Sequence, residues 1–314
     1  MKIFFPNKTA LYALIAACFV VCATMGVRQT FGLYSSEFET TGGTSNTEFG
    51  LAIAVHAIFW GIFTPIFGRI SDRLGGYVVI VPALIFYSIS MLLMGNNFIS
   101  GMWLQINLGL LVGLGLAGAA GTILTPMISK HFPNENRSKA AGIVTACGGL
   151  GMFIFPILAN IFKNISTWQM SFIIFSIILF FMCIPGFFVK LPKNQSSNLN
   201  TNIDNRSLKE VLKESLAHKG FRLLVLGFFV CGFQITLIAT HVPRYVQDKG
   251  LADWTGMAIL ALIGFFNIIG TLVMGYLGDK YSKKILLSGL YFLRGITLIL
   301  LRIFFKKVCR HFYA

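Results

Sequence analysis

An arginine stands inside the first long apolar run of the chain. The stretch Gly26-Val-Arg28-Gln29-Thr-Phe-Gly32 falls near the far end of residues 8–33, where Lys8 is the only other charge. A guanidinium at the centre of a bilayer costs about 2.5–3.5 kcal/mol on an insertion scale, so it pairs, lines a wet cavity or reaches back to the interface. Its planar fork of donors suits a carboxylate. Two readings stay open for Arg28: an anion ligand facing a cavity, or a side chain extended to the outer interface. Other polar groups occur in later apolar runs: Gln234 and His241 in 221–245, Asn267 in 254–274, and Arg294 after Ile285. With Arg28 and Gln29 they form the candidate ligand set for a small anion. No predicted span contains Asp or Glu, which weighs against a cationic ligand. His56, in the run 49–67, reads first as a helix-packing histidine and second as a proton carrier.

A second group of charges lies between two apolar runs, in Gly68-Arg69-Ile-Ser-Asp72-Arg73-Leu-Gly75-Gly76. A related copy begins 207 residues later, as Gly275-Tyr-Leu-Gly-Asp279-Lys280-Tyr-Ser-Lys-Lys284. Gly68 then matches Gly275, Asp72 matches Asp279 and Arg73 matches Lys280. The runs before them also match in kind, Phe49-Gly-Leu-Ala-Ile-Ala against Thr255-Gly-Met-Ala-Ile-Leu. Internal repeats of this kind mark many secondary transporters. Taken singly, either loop would pass for a basic connection that merely sets topology. The Asp72 carboxylate is expected to meet free N–H groups at a neighbouring helix end, with Arg69 and Arg73 at the cytoplasmic interface.

Bulk composition supports a membrane protein. Apolar residues make up 55% of the 314 and charged residues 12%, with mean hydropathy +0.75; a soluble domain carries about 25% charged residues. The net charge of +15 does not indicate nucleic acid. Basic residues gather in alternate short connections, the positive-inside pattern, and aromatics sit within apolar runs rather than among the basic residues. The six cysteines, at 18, 22, 147, 183, 231 and 309, lack metal-ligand spacing and read as small packing residues. No metal cluster, serine elbow or nucleotide loop is present, so neither an enzyme nor a cofactor is expected.

The elements that must position these residues are helices across a bilayer, each needing about 20 apolar residues. Predicted spans cover 8–33, 49–67, 77–95, 101–125, 138–161 and 168–189, then 221–245, 254–274 and a ninth from Ile285. Gly109 and Gly113 give the fourth a small-residue face for close helix contact. Residues 34–48 read as an outer connection holding Glu37, Glu39 and Glu48, and Arg244 and Asp248 fall in another. The polar stretch 190–220 is the natural boundary between residues 1–189 and 221–314, and within it Leu208–Leu216 reads either as an interfacial amphipathic helix or as open linker. The charge pattern puts the N-terminus and this linker in the cytoplasm, in a multi-pass protein of the cell (inner) membrane.

The paired Gly68 and Gly275 stretches resemble the loops between spans two and three and between spans eight and nine of the major facilitator superfamily. The resemblance runs over about residues 8–300. It implies an all-α integral membrane fold of two pseudo-repeated six-helix bundles, with gating loops formed by Gly68, Arg69, Asp72, Arg73, Gly75, Gly275, Asp279 and Lys280 that latch the halves in one state. Arg28 together with Gly232-Phe-Gln234 and Thr240-His241-Val-Pro243 is similar to the monocarboxylate-porter and oxalate–formate antiporter branch. That similarity implies alternating-access transport of a small mono- or dicarboxylate by a monomer, coupled to a proton or a counter-anion. A carrier of a sugar, an amino acid or a drug is the alternative. The chain departs from the pattern in three places. Gln105 and Asn107 stand where an arginine is common in span four. Gly151 and Pro156 replace a Gly-Pro pair in span five. Asn267 and Thr271 stand where animal members of the branch have an aspartate and an arginine.

Only about nine spans are counted where the family pattern needs twelve, so the second bundle reads as incomplete. The tail Arg302-Ile-Phe-Phe-Lys306-Lys307-Val-Cys-Arg310-His311-Phe-Tyr-Ala314 puts basic residues where span nine should leave on the outer side. The sequence therefore reads as a truncated or frameshifted product, in one version a remnant without transport; a true nine-span protein is the other reading.

Overall fold

Apolar runs of this length must satisfy their backbone internally, and helices do so within one segment. The computed structural model describes residues 8–133, 136–189, 208–282 and 284–297, and no strand occurs among them. Among the described residues eight helices are long and apolar enough to cross a membrane. We number all helices in chain order: α1 Lys8–Thr30, α2 Asn46–Leu74, α3 Tyr77–Gly95, α4 Gly101–Ser129, α5 Arg137–Ile165, α6 Trp168–Gly186, the short α7 Leu208–Ala217, α8 Lys219–Asp248, α9 Asp253–Lys280 and α10 over 284–297. The predicted ninth span begins in α10; the basic tail 302–314 and the whole 190–207 stretch lie outside the described residues.

The helices α1 to α6 pack around the buried face of α1. The aromatic groups Tyr34, Phe38, Phe172 and Phe175 close one end of that core, with Phe38 edge-on to both Phe49 and Trp168. α5 lies between α1 and α9, and small residues let both approach. A Cβ on Gly151 would strike the Cys22 carbonyl of α1, and one on Gly264 would strike the backbone of Met152 and Phe153. The expected small face of α4 packs on α2: a Cβ on Gly113 would stand 2.9 Å from the His56 carbonyl oxygen. α4 is not regular. Gln105–Leu111 winds as a π-helix, in which the Asn107 carbonyl accepts the Val112 N–H and, at 2.8 Å, the Ser90 hydroxyl of α3 as well. Large apolar side chains such as Phe228, Phe229, Phe233 and Phe266 stand outward on α8 and α9, as expected of helices facing lipid.

Several expected connections are helical instead. The first span does not stop at Leu33. It runs on through a 3₁₀ turn, Phe31–Tyr34, into Ser35–Gly42, and ends at Gly43, whose φ of 62° suits glycine. Residues 34–48 are therefore not an open connection, and Glu48 forms a capping box with Ser45 at the start of α2. The stretch Gly68–Gly76 is not a loop either. Nothing in Arg69-Ile-Ser-Asp-Arg-Leu breaks a helix, so α2 continues to Leu74 and stops only at Gly75, φ 102°. Its counterpart Gly275–Lys280 is likewise the end of α9, and Arg244 and Asp248 belong to the last turns of α8. Leu208–Ala217 is a helix, with Leu208, Val211, Leu212 and Leu216 at the spacing of one face.

Candidate substrate site

Arg28 sits in the last two turns of α1 and is half-buried. Its Nε donates to His56 Nε2 of α2 at 3.4 Å, and its Nη2 donates to the Thr236 hydroxyl of α8 at 3.3 Å. The guanidinium lies over the Trp60 ring, 5.1 Å from its centroid. His56 is 1% exposed. Its ring is edge-on to Phe31 and to Trp60, with centroids 6.5 and 5.9 Å away. Arg28, Phe31, His56 and Thr236 line a narrow cleft with Gly32, Ile53, Ala239 and Thr240, with room for about one water molecule. Among the described residues Arg28 has no ion pair with an acid.

Helical spacing explains the assembly. His56 and Trp60 are four residues apart and share one face of α2. Thr236 and Thr240 do the same on α8, while Arg28 and Phe31, three apart, bridge the end of α1 and the 3₁₀ turn that follows it. Three helices thus bring a fixed cation, an imidazole, two hydroxyls and an aromatic wall to one place. Such a set can hold an anion by charge and hydrogen bonds, or a flat ring against Trp60.

The six candidates from the sequence do not share this place. Arg28 lies in the cleft. Gln29, one position on, is 1% exposed and its amide oxygen and nitrogen both lack a hydrogen-bond partner. Gln234 is half-buried with its Oε1 unpartnered. His241 is exposed on α8. Asn267 faces Gly149 at the α5–α9 contact and accepts from Thr271. Arg294 of α10 donates to Cys231 Sγ of α8 at 3.0 Å. The cleft residues Trp60, Thr236 and Thr240 were not singled out from the sequence, and His56 was read first as packing. Only their spacing of four could have pointed to them.

At the other end of α2, Asp72 does not meet helix N–H groups. It pairs with the Lys130 ammonium at the end of α4, at 2.7 Å. The Asp279 and Lys280 side chains lie outside the described residues. Arg69 and Arg73 line a separate open groove with Ile66, Ile70 and Leu74. Beyond the C-terminal end of α1, α8 is tied to the helical extension Ser35–Gly42. Arg244 bonds Glu39 at 2.6 Å and Asp248 at 2.8 Å, while Glu37 pairs with Lys163 of α5.

The Major Facilitator Superfamily model matches residues 10–307. Among individual relatives, an uncharacterized transporter of this type from Bacillus subtilis is 30% identical over 62% of this chain and 47% of its own length. A class H tetracycline resistance protein from Pasteurella multocida is 26% identical over 76% of this chain and 59% of its own. A multi-drug resistance efflux pump homologue from Lactococcus lactis is 26% identical over 91% of this chain and 70% of its own. The chain thus spans about half to two-thirds of the length of these relatives. With spanning helices over nearly all of the matched region, the chain belongs to the Major Facilitator Superfamily, a family of membrane transporters.

Proposed function

We propose that the chain is the working part of a secondary carrier of small organic anions, with Arg28 as the anion's fixed counter-charge. One observation carries this: a half-buried guanidinium in a narrow cleft, without an acidic partner among the described residues, beside two hydroxyls. A carboxylate entering the cleft would complete the charge pair and offset the desolvation that makes a lone intramembrane arginine costly. In this reading residues 1–189 and 221–314 belong to two bundles joined by a cytoplasmic linker, 190–220, that rock about the cleft in a monomer. The stretches at Gly68 and Gly275 act as cytoplasmic latches, and Gln29 and Gln234 hold the remainder of the anion or its water.

A drug carrier is the second reading. It is favoured by the tetracycline and multi-drug resistance named for two relatives and by the Trp60 and Phe31 rings beside the cation. Binding titrations on the purified chain separate the two. Lactate or oxalate should bind the native protein, bind more weakly to Arg28→Lys, which keeps charge without the fork, and not bind Arg28→Gln. A tetracycline that binds native protein and Arg28→Gln alike, with no carboxylate binding, would replace the anion reading with the drug reading.

A further inference from the structure

Cys18 on α1 and Cys147 on α5 meet where small residues let those two helices run close. At Gly148 a Cβ would stand 3.1 Å from Val21 and 3.6 Å from Met25 of α1, and at Gly151 the Cys22 carbonyl leaves no room for one. With only hydrogen at both positions, the Cys18 and Cys147 thiols come into a shared S–H···S hydrogen bond. Cys22, one turn further along α1, borders the pair.

The pair is not sealed in the core. Cys18, Cys22 and Cys147 are all half-buried. Cys18, Cys22, Met25 and Arg28 follow one another at helical spacing, a half-open stripe between buried positions of α1. The thiols thus share a face of α1 with Arg28, about 15 Å from it along the axis.

Two sulfurs in contact on separate helices are a ligand set, and its size selects the metal. Among the described residues no group of three or more His, Cys, Asp or Glu could hold a metal ion. Zinc needs three or four protein ligands, and calcium and magnesium take oxygens. Soft sulfur donors select Cu(I), whose filled d shell accepts two sulfurs in line.

We propose that Cys18 and Cys147 form a two-sulfur Cu(I) site that ties α1 to α5. On binding, one S–H gives its proton to water and its sulfur bonds the ion as a thiolate. The other sulfur bonds it through a lone pair and keeps its proton. Copper stays Cu(I) throughout. One thiolate against one monovalent cation leaves the unit without net charge, so binding adds none to the low-dielectric interior. The site is independent of the solute that the carrier moves.

The test uses the purified full chain in nanodiscs, reduced and desalted under argon, with the coloured Cu(I)–bicinchoninate complex as the source of the ion. Native protein should draw one Cu(I) per chain from the complex, read as loss of colour. Cys18→Ser and Cys147→Ser should each weaken this uptake by about tenfold or more, because neither sulfur alone makes the site. Cys22→Ser should change it by less than about threefold. A chain keeping only Cys18 and Cys147, with its other four cysteines changed to serine, should still take up one ion, and Zn(II) should not compete. Alanine replaces serine wherever a serine variant does not reach the membrane. The proposal is overturned by no uptake in native protein or in the two-cysteine chain, by uptake unchanged in Cys18→Ser or Cys147→Ser, by an equal loss in Cys22→Ser, or by competition from Zn(II).

Discussion

Gly32, in the 3₁₀ turn after α1, and Ala239 on α8 touch backbone to backbone. A Cβ on Gly32 would collide with the Ala239 carbonyl oxygen and stand 3.0 Å from that of Thr240. Neither obstacle is a flexible side-chain end, so the helices would have to part. Gly32→Val is therefore expected to disfavour the arrangement in which this turn and α8 close over one end of the cleft. Transport should fall to background at normal membrane abundance. A cysteine at Thr240, buried in the native arrangement, should become reactive to an impermeant maleimide. Unchanged labelling in Gly32→Val would show that the contact does not hold the cleft shut.

The same closure is fastened further out by Arg244, bonded to Glu39 across the two helices and to Asp248 on its own. Arg244 is about a quarter exposed and Glu39 nearly half, so the pair contributes at most about 1 kcal/mol. Glu39→Gln should therefore raise the maleimide reactivity of the Thr240 cysteine only a few-fold, and the effect should shrink in high salt. Exchanging the two charges, Glu39→Arg with Arg244→Glu, should restore most of the protection. A double-mutant cycle with no coupling would show that the contact carries no energy.

Asp72 and Lys130 are both substantially exposed. Asp72→Asn should leave thermal stability within about 1 kcal/mol of the native protein. If the end of α2 works as a latch, transport should fall far more than stability does. Equal, small losses in both would reduce Asp72 to a surface charge.

Orientation follows from where the lysines and arginines lie. Reporter fusions at Lys193 and Asn46 should report opposite sides of the membrane, with Lys193 in the cytoplasm. The same side for both would overturn the six-span reading before the linker.

Helices were legible because length and apolarity alone define them in a bilayer. Each of the first eight expected spans overlaps one of the spanning helices. Their ends were misplaced where polar residues extend a helix beyond the hydrocarbon. Ser35–Gly42 and Arg69–Leu74 are polar yet contain no breaker, and hydropathy has no way to tell a wet helical turn from a loop. In the candidate site, Arg28 was visible because its charge is anomalous in that setting. Trp60, Thr236 and Thr240 were not, because an aromatic or a hydroxyl in a span is ordinary. Asn267 and Arg294 stood out by polarity, but helix rotation turns them to Gly149 and Cys231, and rotation about a helix axis leaves little trace in so uniformly apolar a sequence.

Because the charged stretch at Gly68 is helical, His56 and Asp72 ride on one continuous shaft, sixteen residues apart and about 24 Å along the axis. Pro65 lies between them. Its ring nitrogen cannot donate to the Gly61 carbonyl, and the neighbouring Trp60 carbonyl is shared with the Thr64 hydroxyl at 2.6 Å. The shaft therefore has a joint midway. A tilt imposed at the Asp72 end by making or breaking the Asp72–Lys130 pair can be absorbed there as bending or passed on as rotation of His56 beneath Arg28. The stiffness of five residues, Gly61 to Pro65, thus sets how tightly the Asp72–Lys130 pair and the Arg28 cleft keep time with each other.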